Sequence, residues 1–479
     1  MPFSLDGDYP RDFAGYGRTP PRADWPNGAR VAVQFVINYE EGGENCILHG
    51  DAASEAFLSE IVGAQPWPGQ RHLNMESIYE YGARVGFWRL WRAFTARNMP
   101  VTVFAVATAM ARNPEAVSAM NEAGWEIATH GLKWIDYKDV ACEDERAHVQ
   151  EAIRLHERVA GARPLGLYQG RTSPHTLRIG AEDGGFLYLA DSYADELPYW
   201  AEIGGRTQLI VPYTLDANDM RFATAQGFNS GDQFFSYLRD GFDLLHAEGE
   251  AGRPSMLSVG LHCRLVGRPG RMAALERFLD HVQAREGVWV ATRLDIARHW
   301  IRRHPPDGGW RPSAMGRALF VEAFGDIYEH TPAVAEAAHA AGLGPGHDHA
   351  EGLHAAMAAA MRALPEDAKT ALILAHPDLA GRLALAGDLT ADSMREQGSA
   401  GLDRLSSSEL DRFTRLNEAY RARFGFPFII AVKGLTKDDI LTAFEGRVRH
   451  DPDAERAEAL RQIERIALLR LRDRLPAAP

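Results

Sequence analysis

Cysteine is scarce in this chain of 479 residues: Cys46, Cys142 and Cys263 are the only three. Three scattered thiols cannot build a disulfide framework or a thiolate metal cage, and they point to a reducing cytoplasm. No apolar run approaches the ~18–20 residues of a membrane span, so no membrane partner is expected. Positive charge is also in deficit. Against 65 Asp and Glu stand 52 Lys and Arg, a net charge of −13, which argues against a nucleic-acid backbone or an anionic lipid surface. The first thirty residues hold Asp6, Asp8 and Asp12 without an apolar core, so they do not read as a signal peptide. What is present is an ordinary globular composition, 46% hydrophobic and 24% charged, with length enough for two or three domains. Small molecules remain as the expected partners.

The chain changes its pattern once. From Val31 to about His304, short apolar runs alternate with amphipathic stretches. The runs are Val31–Tyr39, Val101–Thr108, Glu126–His130, Leu187–Ser192, Leu209–Thr214, Met256–His262 and Val288–Thr292. They are Val-, Ile- and Leu-rich and mostly uninterrupted, as strands buried on both faces should be. Helix-period stretches such as Ser77–Arg97, Cys142–Val159, Gln233–Glu248 and Met272–Glu286 lie between them. Strand–helix alternation predicts a mainly parallel sheet of the (β/α) barrel kind, with an open doubly wound sheet as the competing arrangement.

The stretch Arg303–Gly316 (RHPPDGGWRPSAMG) is rich in turn-formers, and residues 306–316 read as a linker between a domain over 1–305 and another over 317–479. The second part shows no convincing strand. Its predicted helices are Ala318–Glu329, Glu351–Ala363, Asp367–Ala375, Ser408–Phe424, Lys437–Val448 and Ala454–Leu475, with Ser407 or Ser408 as an N-cap and Gly425 as a stop. His347, His349 and His354, just after Gly344-Pro345-Gly346, read as an interhelix loop and not as metal ligands.

Chemistry gathers at the ends of the apolar runs. The first ends in Asn38-Tyr39-Glu40-Glu41-Gly42-Gly43-Glu44, another in His130-Gly131, the Leu165–Gln169 region in Gly170-Arg171-Thr172-Ser173-Pro174, and Met256–His262 in its own histidine. The carboxyl ends of parallel barrel strands are where such barrels build active sites. Neighbouring residues on a strand face opposite ways, so only one of Glu40 and Glu41 should enter the site unless Gly42-Gly43 bends the backbone.

This order of motifs, with the Asp191–Glu196 segment (DSYADE), resembles the polysaccharide deacetylase superfamily, whose fold is a distorted (β/α) barrel. Members usually carry two aspartates and a pair of histidines four apart around a metal. Here the acids are Glu40 and Glu41, and four residues after His130 stands Trp134. Zinc needs three protein ligands and an open position. Trp offers no lone pair, so no metal is expected. Asn38–Glu44, Leu73–Arg84 and Asp191–Trp200 closely resemble the metal-independent bacterial allantoinases of that superfamily. The resemblance implies hydrolytic opening of the hydantoin ring of allantoin. It implies Glu40 as base, Glu41 in an orienting role, Arg171 or His130 stabilising an oxyanion, and His262 as acid. Asn38, Trp134, Asp191 and Glu196 would meet the substrate.

The second part holds His376-Pro377-Asp378, Ser393-Met394-Arg395-Glu396-Gln397 and Phe424–Ile430 (FGFPFII). A lone His before Pro is usually a packed residue, and a Phe-rich string is usually core. In this order, with Phe320–Pro332 and Ile466–Leu471, they are similar to the 2-oxo-4-hydroxy-4-carboxy-5-ureidoimidazoline (OHCU) decarboxylases, all-helical and cofactor-free. The resemblance implies His376 as acid with Glu396 as its partner. Pro377, Ser393, Gln397, Arg470 and the main chain of Phe428, Ile429 and Ile430 would hold the substrate. The two resemblances imply a fused enzyme performing consecutive steps of urate degradation without cofactors, expected to form a homo-oligomer. The rival is a metal-dependent N-acetyl deacetylase with a non-catalytic helical oligomerisation module.

Overall fold

The computed structural model describes residues 11–379, 402 and 404–477. The chain divides into two compact units, Met1–His304 and Pro305–Pro479. In the first, nine strands make one sheet: β1 (Val31–Tyr39), β2 (Thr102–Ala105), β3 (Glu126–Thr129), β4 (Gly166–Leu167), β5 (Tyr188–Leu189), β6 (Tyr199–Ile203), β7 (Arg206–Ile210), β8 (Ser255–His262) and β9 (Val288–Val290). The order is β6-β7-β5-β4-β3-β2-β1-β8, with β9 beside the first residues of β1. From β1 to β5 the order follows the sequence without reversing, which is barrel winding and not the doubly wound pattern. The sheet is mixed, however: β6 runs antiparallel to β7. Among the described residues no ladder joins β6 to β8. The result is a curled, incompletely closed barrel.

All nine residues of β1 are buried, which explains its unbroken apolar run. Strand parity divides them. Val31, Val33, Phe35, Ile37 and Tyr39 enter the apolar layer beneath the helices. Gln34 and Asn38 turn inward, where they meet Arg293 and Tyr213. The predicted Ser77–Arg97 helix is two helices, Leu73–Tyr81 and Phe87–Thr95, joined by a π-helical turn over Gly82–Gly86. Close approach demands the glycines there: a Cβ on Gly82 would fall 2.4 Å from Glu41 Oε1, and one on Gly86 would fall 1.9 Å from the Cys263 carbonyl oxygen. Single π turns of this kind gather at functional sites.

The described residues of the second unit form helices and no strand: Arg317–Phe324, Pro332–Ala340, Ala350–Arg362, Glu366–Leu374, Ser407–Phe424, Lys437–Arg447 and Pro452–Arg472. Pro332–Ala340 (PAVAEAAHA) is absent from the sequence reading because its alanines carry no apolar period. The N-cap of Ser407–Phe424 is Ser406, which exchanges hydrogen bonds with Glu409 in a capping box, and not Ser407 or Ser408. Gly425, at φ +78°, ends that helix as expected. Within 306–316, Trp310, Pro312 and Met315 are buried, and Ser313 donates to Asp348. Among the described residues no helix is long and apolar enough to cross a membrane.

Candidate active sites

Five side chains converge at the carboxyl ends of β1, β3 and β8. Glu40 Oε1 lies 3.4 Å from His130 Nε2 and 3.4 Å from His262 Nε2. Its other oxygen accepts from Arg264 Nη2 at 2.6 Å. Behind His262, Asp219 takes the Nδ1 proton at 2.6 Å while its second oxygen accepts the backbone N–H groups of His262 and Val266. Every member is at least 95% buried in its side chain. In so dry a place the ionic states are set by neighbours. Burial alone would raise the Glu40 pKa, but Arg264, His262 and His130 outweigh it and hold the carboxyl well below its usual range. Burial alone would discharge His262, but Glu40 and Asp219 outweigh it and push the imidazole up to about 9. An ionised carboxylate therefore faces an imidazolium. Two titratable groups driven apart in this way are suited to base and acid roles.

Glu41 is buried as well, because the chain turns after Tyr39 and Gly42 adopts φ +98°. Its oxygens accept the backbone N–H groups of Glu40 and Arg264, and burial together with the Glu40 charge raises its pKa. Strand alternation alone therefore misjudges the pair: both glutamates reach Arg264, though only Glu40 touches the histidines. Arg264 spreads over the Tyr79 ring at 4.2 Å and the Trp134 ring at 5.2 Å from their centroids. Trp134 thus packs a guanidinium where a metal-binding histidine was the alternative. The cationic place beside the two carboxylates is taken by Arg264.

Three of the expected residues lie outside this cluster. Arg171 stays out of the cluster: it stacks on Trp134 at 5.1 Å and Phe57 at 5.7 Å, lies 3.7 Å from Glu55, and lines a cavity of about 580 Å³. The guanidinium at the carboxylates is Arg264. Asp191 accepts from the backbone N–H groups of Gln169 and Gly170, both at 2.7 Å, and so shapes the loop that carries Arg171. Glu196 lines a separate cavity of about 520 Å³ with Asp195, Thr214 and Asp216. Asn38 reaches the interior, donating to Tyr213 Oη at 2.9 Å. Sequence reasoning missed Arg264 and Asp219. Arg264 follows His262 by two and shares its strand parity, a signal that was available; Asp219 stands in a 3₁₀ turn, Asp219–Ala223, and carries none.

In the second unit His376 is buried, and Nδ1 pairs with the Leu372 carbonyl at 2.9 Å. Burial pushes its pKa down to about 4. Nδ1–H therefore donates to that carbonyl in a neutral ring, and Nε2 keeps its lone pair. Beside it, Arg470 pairs with Glu329 at 2.9 Å, both almost wholly buried; Glu329 was not singled out from the sequence. Phe428 and Ile429 are buried and Ile430 half-buried, while Pro377 is partly exposed. Ser393, Glu396 and Gln397 lie outside the described residues. Among the histidines of the Gly344–His354 stretch, His354 Nε2 is bonded to the Glu464 carbonyl. Among the described residues no three His, Cys, Asp or Glu converge as metal ligands.

A curled barrel with an acid–base pair at its strand ends, and a helical unit with a buried histidine, define a two-part enzyme. The polysaccharide deacetylase family model matches residues 76–172 and the OHCU decarboxylase model residues 313–472. A Schizosaccharomyces pombe protein named for polysaccharide deacetylases is 41% identical over 314 residues, 62% of this chain and 98% of its own. The crystal structure of PuuE allantoinase matches at 56% identity and TM-score 0.61, over 62% of this chain and 99% of that one. The OHCU decarboxylase of Haloferax volcanii is 44% identical over 155 residues, 32% of this chain and 88% of its own. The chain belongs to the polysaccharide deacetylase family in its first unit and to the OHCU decarboxylase family in its second.

Proposed function

We propose that the first unit opens the hydantoin ring of allantoin to allantoate and that the second decarboxylates OHCU to (S)-allantoin, so that one chain makes and consumes the same intermediate. The observation that carries this reading is the Glu40–His262–Asp219 array in a unit 56% identical to PuuE allantoinase. Ring opening needs a water activated by a base, a stabilised oxyanion and a proton for the departing nitrogen. Glu40 is the ionised base, His262 the proton donor held charged by Asp219, and His130 the group best placed for the oxyanion. Glu41 orients Glu40 and Arg264. In the second unit, His376 takes the substrate's hydroxyl proton at Nε2. As the C–CO₂ bond breaks, its electron pair moves into the adjacent ring imine, whose nitrogen takes a proton from water, so no external sink is required. The resulting enol becomes the carbonyl as His376 returns its proton to one face of the ureido-bearing carbon. Mixing the protein with freshly generated OHCU and following products by circular dichroism tests both halves: optically active allantoin should rise and then decay to allantoate.

Two further outcomes are expected. Protein dialysed against a strong chelator should keep its allantoin hydrolysis, because Arg264 supplies the positive charge beside the carboxylates; loss restored by zinc, manganese or nickel would refute this and favour the deacetylase rival. The rate of ring opening should hold through neutral pH and fall as pH passes about 9, where His262 loses its proton. Since the folded value lies above the unfolded one of about 6.5, this group's contribution to stability is complete below that unfolded value and is lost as pH rises through the folded one. Asp219→Asn removes a charge that raises the pKa, so the alkaline limb should move to lower pH. An unmoved limb would take the acid role from His262.

A further inference from the structure

The segment Phe428–Ala431 runs without helix or strand hydrogen bonding and is nevertheless mostly buried. Buried main chain must place its polar groups somewhere. Two side chains satisfy part of it. Arg447 Nη1 donates to the Ile429 carbonyl at 2.8 Å, and the Ala431 N–H donates to Gln462 Oε1 at 3.0 Å. The rest of Arg447 is spoken for. Nε and Nη2 donate to Glu455 Oε1 at 2.9 and 2.6 Å, and its guanidinium lies 4.6 Å from the centroid of the Phe428 ring, itself stacked on Phe444. Glu455 is fully buried, accepting in addition from Tyr420 Oη and, at 2.7 Å, pairing with His450 Nδ1.

Peptide planarity turns these anchors into an aiming device. In a trans peptide the C=O of one residue and the N–H of the next point in opposite directions, and there is no cis bond here. Arg447, by fixing the Ile429 carbonyl, turns the Ile430 N–H away from itself. Gln462, by fixing the Ala431 N–H, turns the Ile430 carbonyl away likewise. Ile430 is left with one donor and one acceptor, neither of which meets a hydrogen-bond partner among the described residues. A donor and an acceptor on one residue match a ligand that carries an N–H and a C=O side by side, which is the edge of a ureide.

We propose that Arg447, Glu455 and Gln462 are positioning residues of the decarboxylation site: they present the Ile430 N–H and C=O to the ureide edge of the substrate and thereby set the face on which the proton is returned. This rests on the decarboxylase reading above. None of the three touches substrate; each acts through the main chain of Phe428–Ala431.

Gln462 gives the cleaner test, being half-buried and outside the ion pair. Gln462 Nε2 also donates to Glu458 Oε1 at 2.7 Å. Gln462→Met therefore keeps the length and loses the acceptor, whereas Gln462→Glu combined with Glu458→Gln keeps an acceptor at 462 and a hydrogen bond between the two positions. On the full chain with Glu40→Gln blocking ring opening, Gln462→Met should raise the KM for OHCU about tenfold, as expected for one misplaced hydrogen bond, and lower the enantiomeric excess of allantoin, with Tm little changed. The paired exchange Gln462→Glu with Glu458→Gln should restore both. Arg447→Lys, which cannot span Glu455 and the Ile429 carbonyl together, should show the same losses. Unchanged KM and enantiomeric excess in Gln462→Met and Arg447→Lys would overturn the inference, as would a fall in Tm with the kinetics of the folded fraction unaltered. Failure of the parent protein to accelerate CO₂ release would instead overturn the decarboxylase reading itself.

Discussion

Glu40→Gln should abolish allantoin ring opening, by about 10³-fold or more if Glu40 is the general base, while CO₂ release from OHCU continues at the parent rate. The substitution keeps the side chain's shape but removes the anion that His262 and Arg264 face. Blocked in this way, the protein should accumulate (S)-allantoin. Spontaneous decay of OHCU can deliver its proton to either face, whereas one donor fixed beside the pocket needs only about 2.7 kcal/mol between competing transition states for a 100-fold preference. His376→Ala should do the converse, sparing ring opening and leaving slow, racemic product. Chiral chromatography of the allantoin formed by each variant, and by the double variant, reads all of this. Loss of both activities from either single substitution in folded protein would refute two independent sites.

The second large effect concerns acid. His156, on the Cys142–Ala160 helix, is fully buried, and burial pushes its pKa down to about 3, the Ala105 carbonyl offsetting only part. A histidine with an unfolded value of about 6.5 then binds its proton more readily in the unfolded chain. Stability from this group is complete above that unfolded value. It drains at about 1.4 kcal/mol per pH unit as pH falls below it, until the folded value is reached. Between pH 6.5 and 4.5 the barrel unit should lose about 2 kcal/mol on this account. His156→Leu should remove that slope at some cost at neutral pH. Nine of the ten tryptophans precede residue 305, Trp310 being the exception, so denaturation followed by tryptophan fluorescence reports mainly on this unit. An equal slope in the variant would show that His156 is not the acid-sensitive group.

The sequence made strand ends legible because burial on both faces leaves an unbroken apolar run that stops abruptly at Glu40, His130 and His262. The same logic failed where geometry departs from the ideal strand. β6 reads as neither buried nor alternating, since its residues are mostly half-buried, and the runs Leu165–Gln169 and Leu187–Ser192 hold strands of only two residues each, β4 and β5. Asp191 and Arg171 looked like ligands because acids and arginines at strand ends often are. Only coordinates show that Asp191 accepts from the backbone of the Arg171 loop and that Arg264 takes the guanidinium place. In the helical unit, Glu329 carries no pattern of its own in the sequence, because a buried acid announces itself through a partner 141 residues away, Arg470.

The guanidinium between two carboxylates also bears on how such a site could change its chemistry. Replacing Trp134 by histidine would restore the ligand spacing seen in metal-using deacetylases, yet Arg264 would still neutralise Glu40 and Glu41 and repel an incoming dication. Removing Arg264 first would strand two buried anions beside each other, an arrangement that costs several kcal/mol. Arg264 thus does for the two buried carboxylates what a dication would do, and in doing so closes the place such an ion would need.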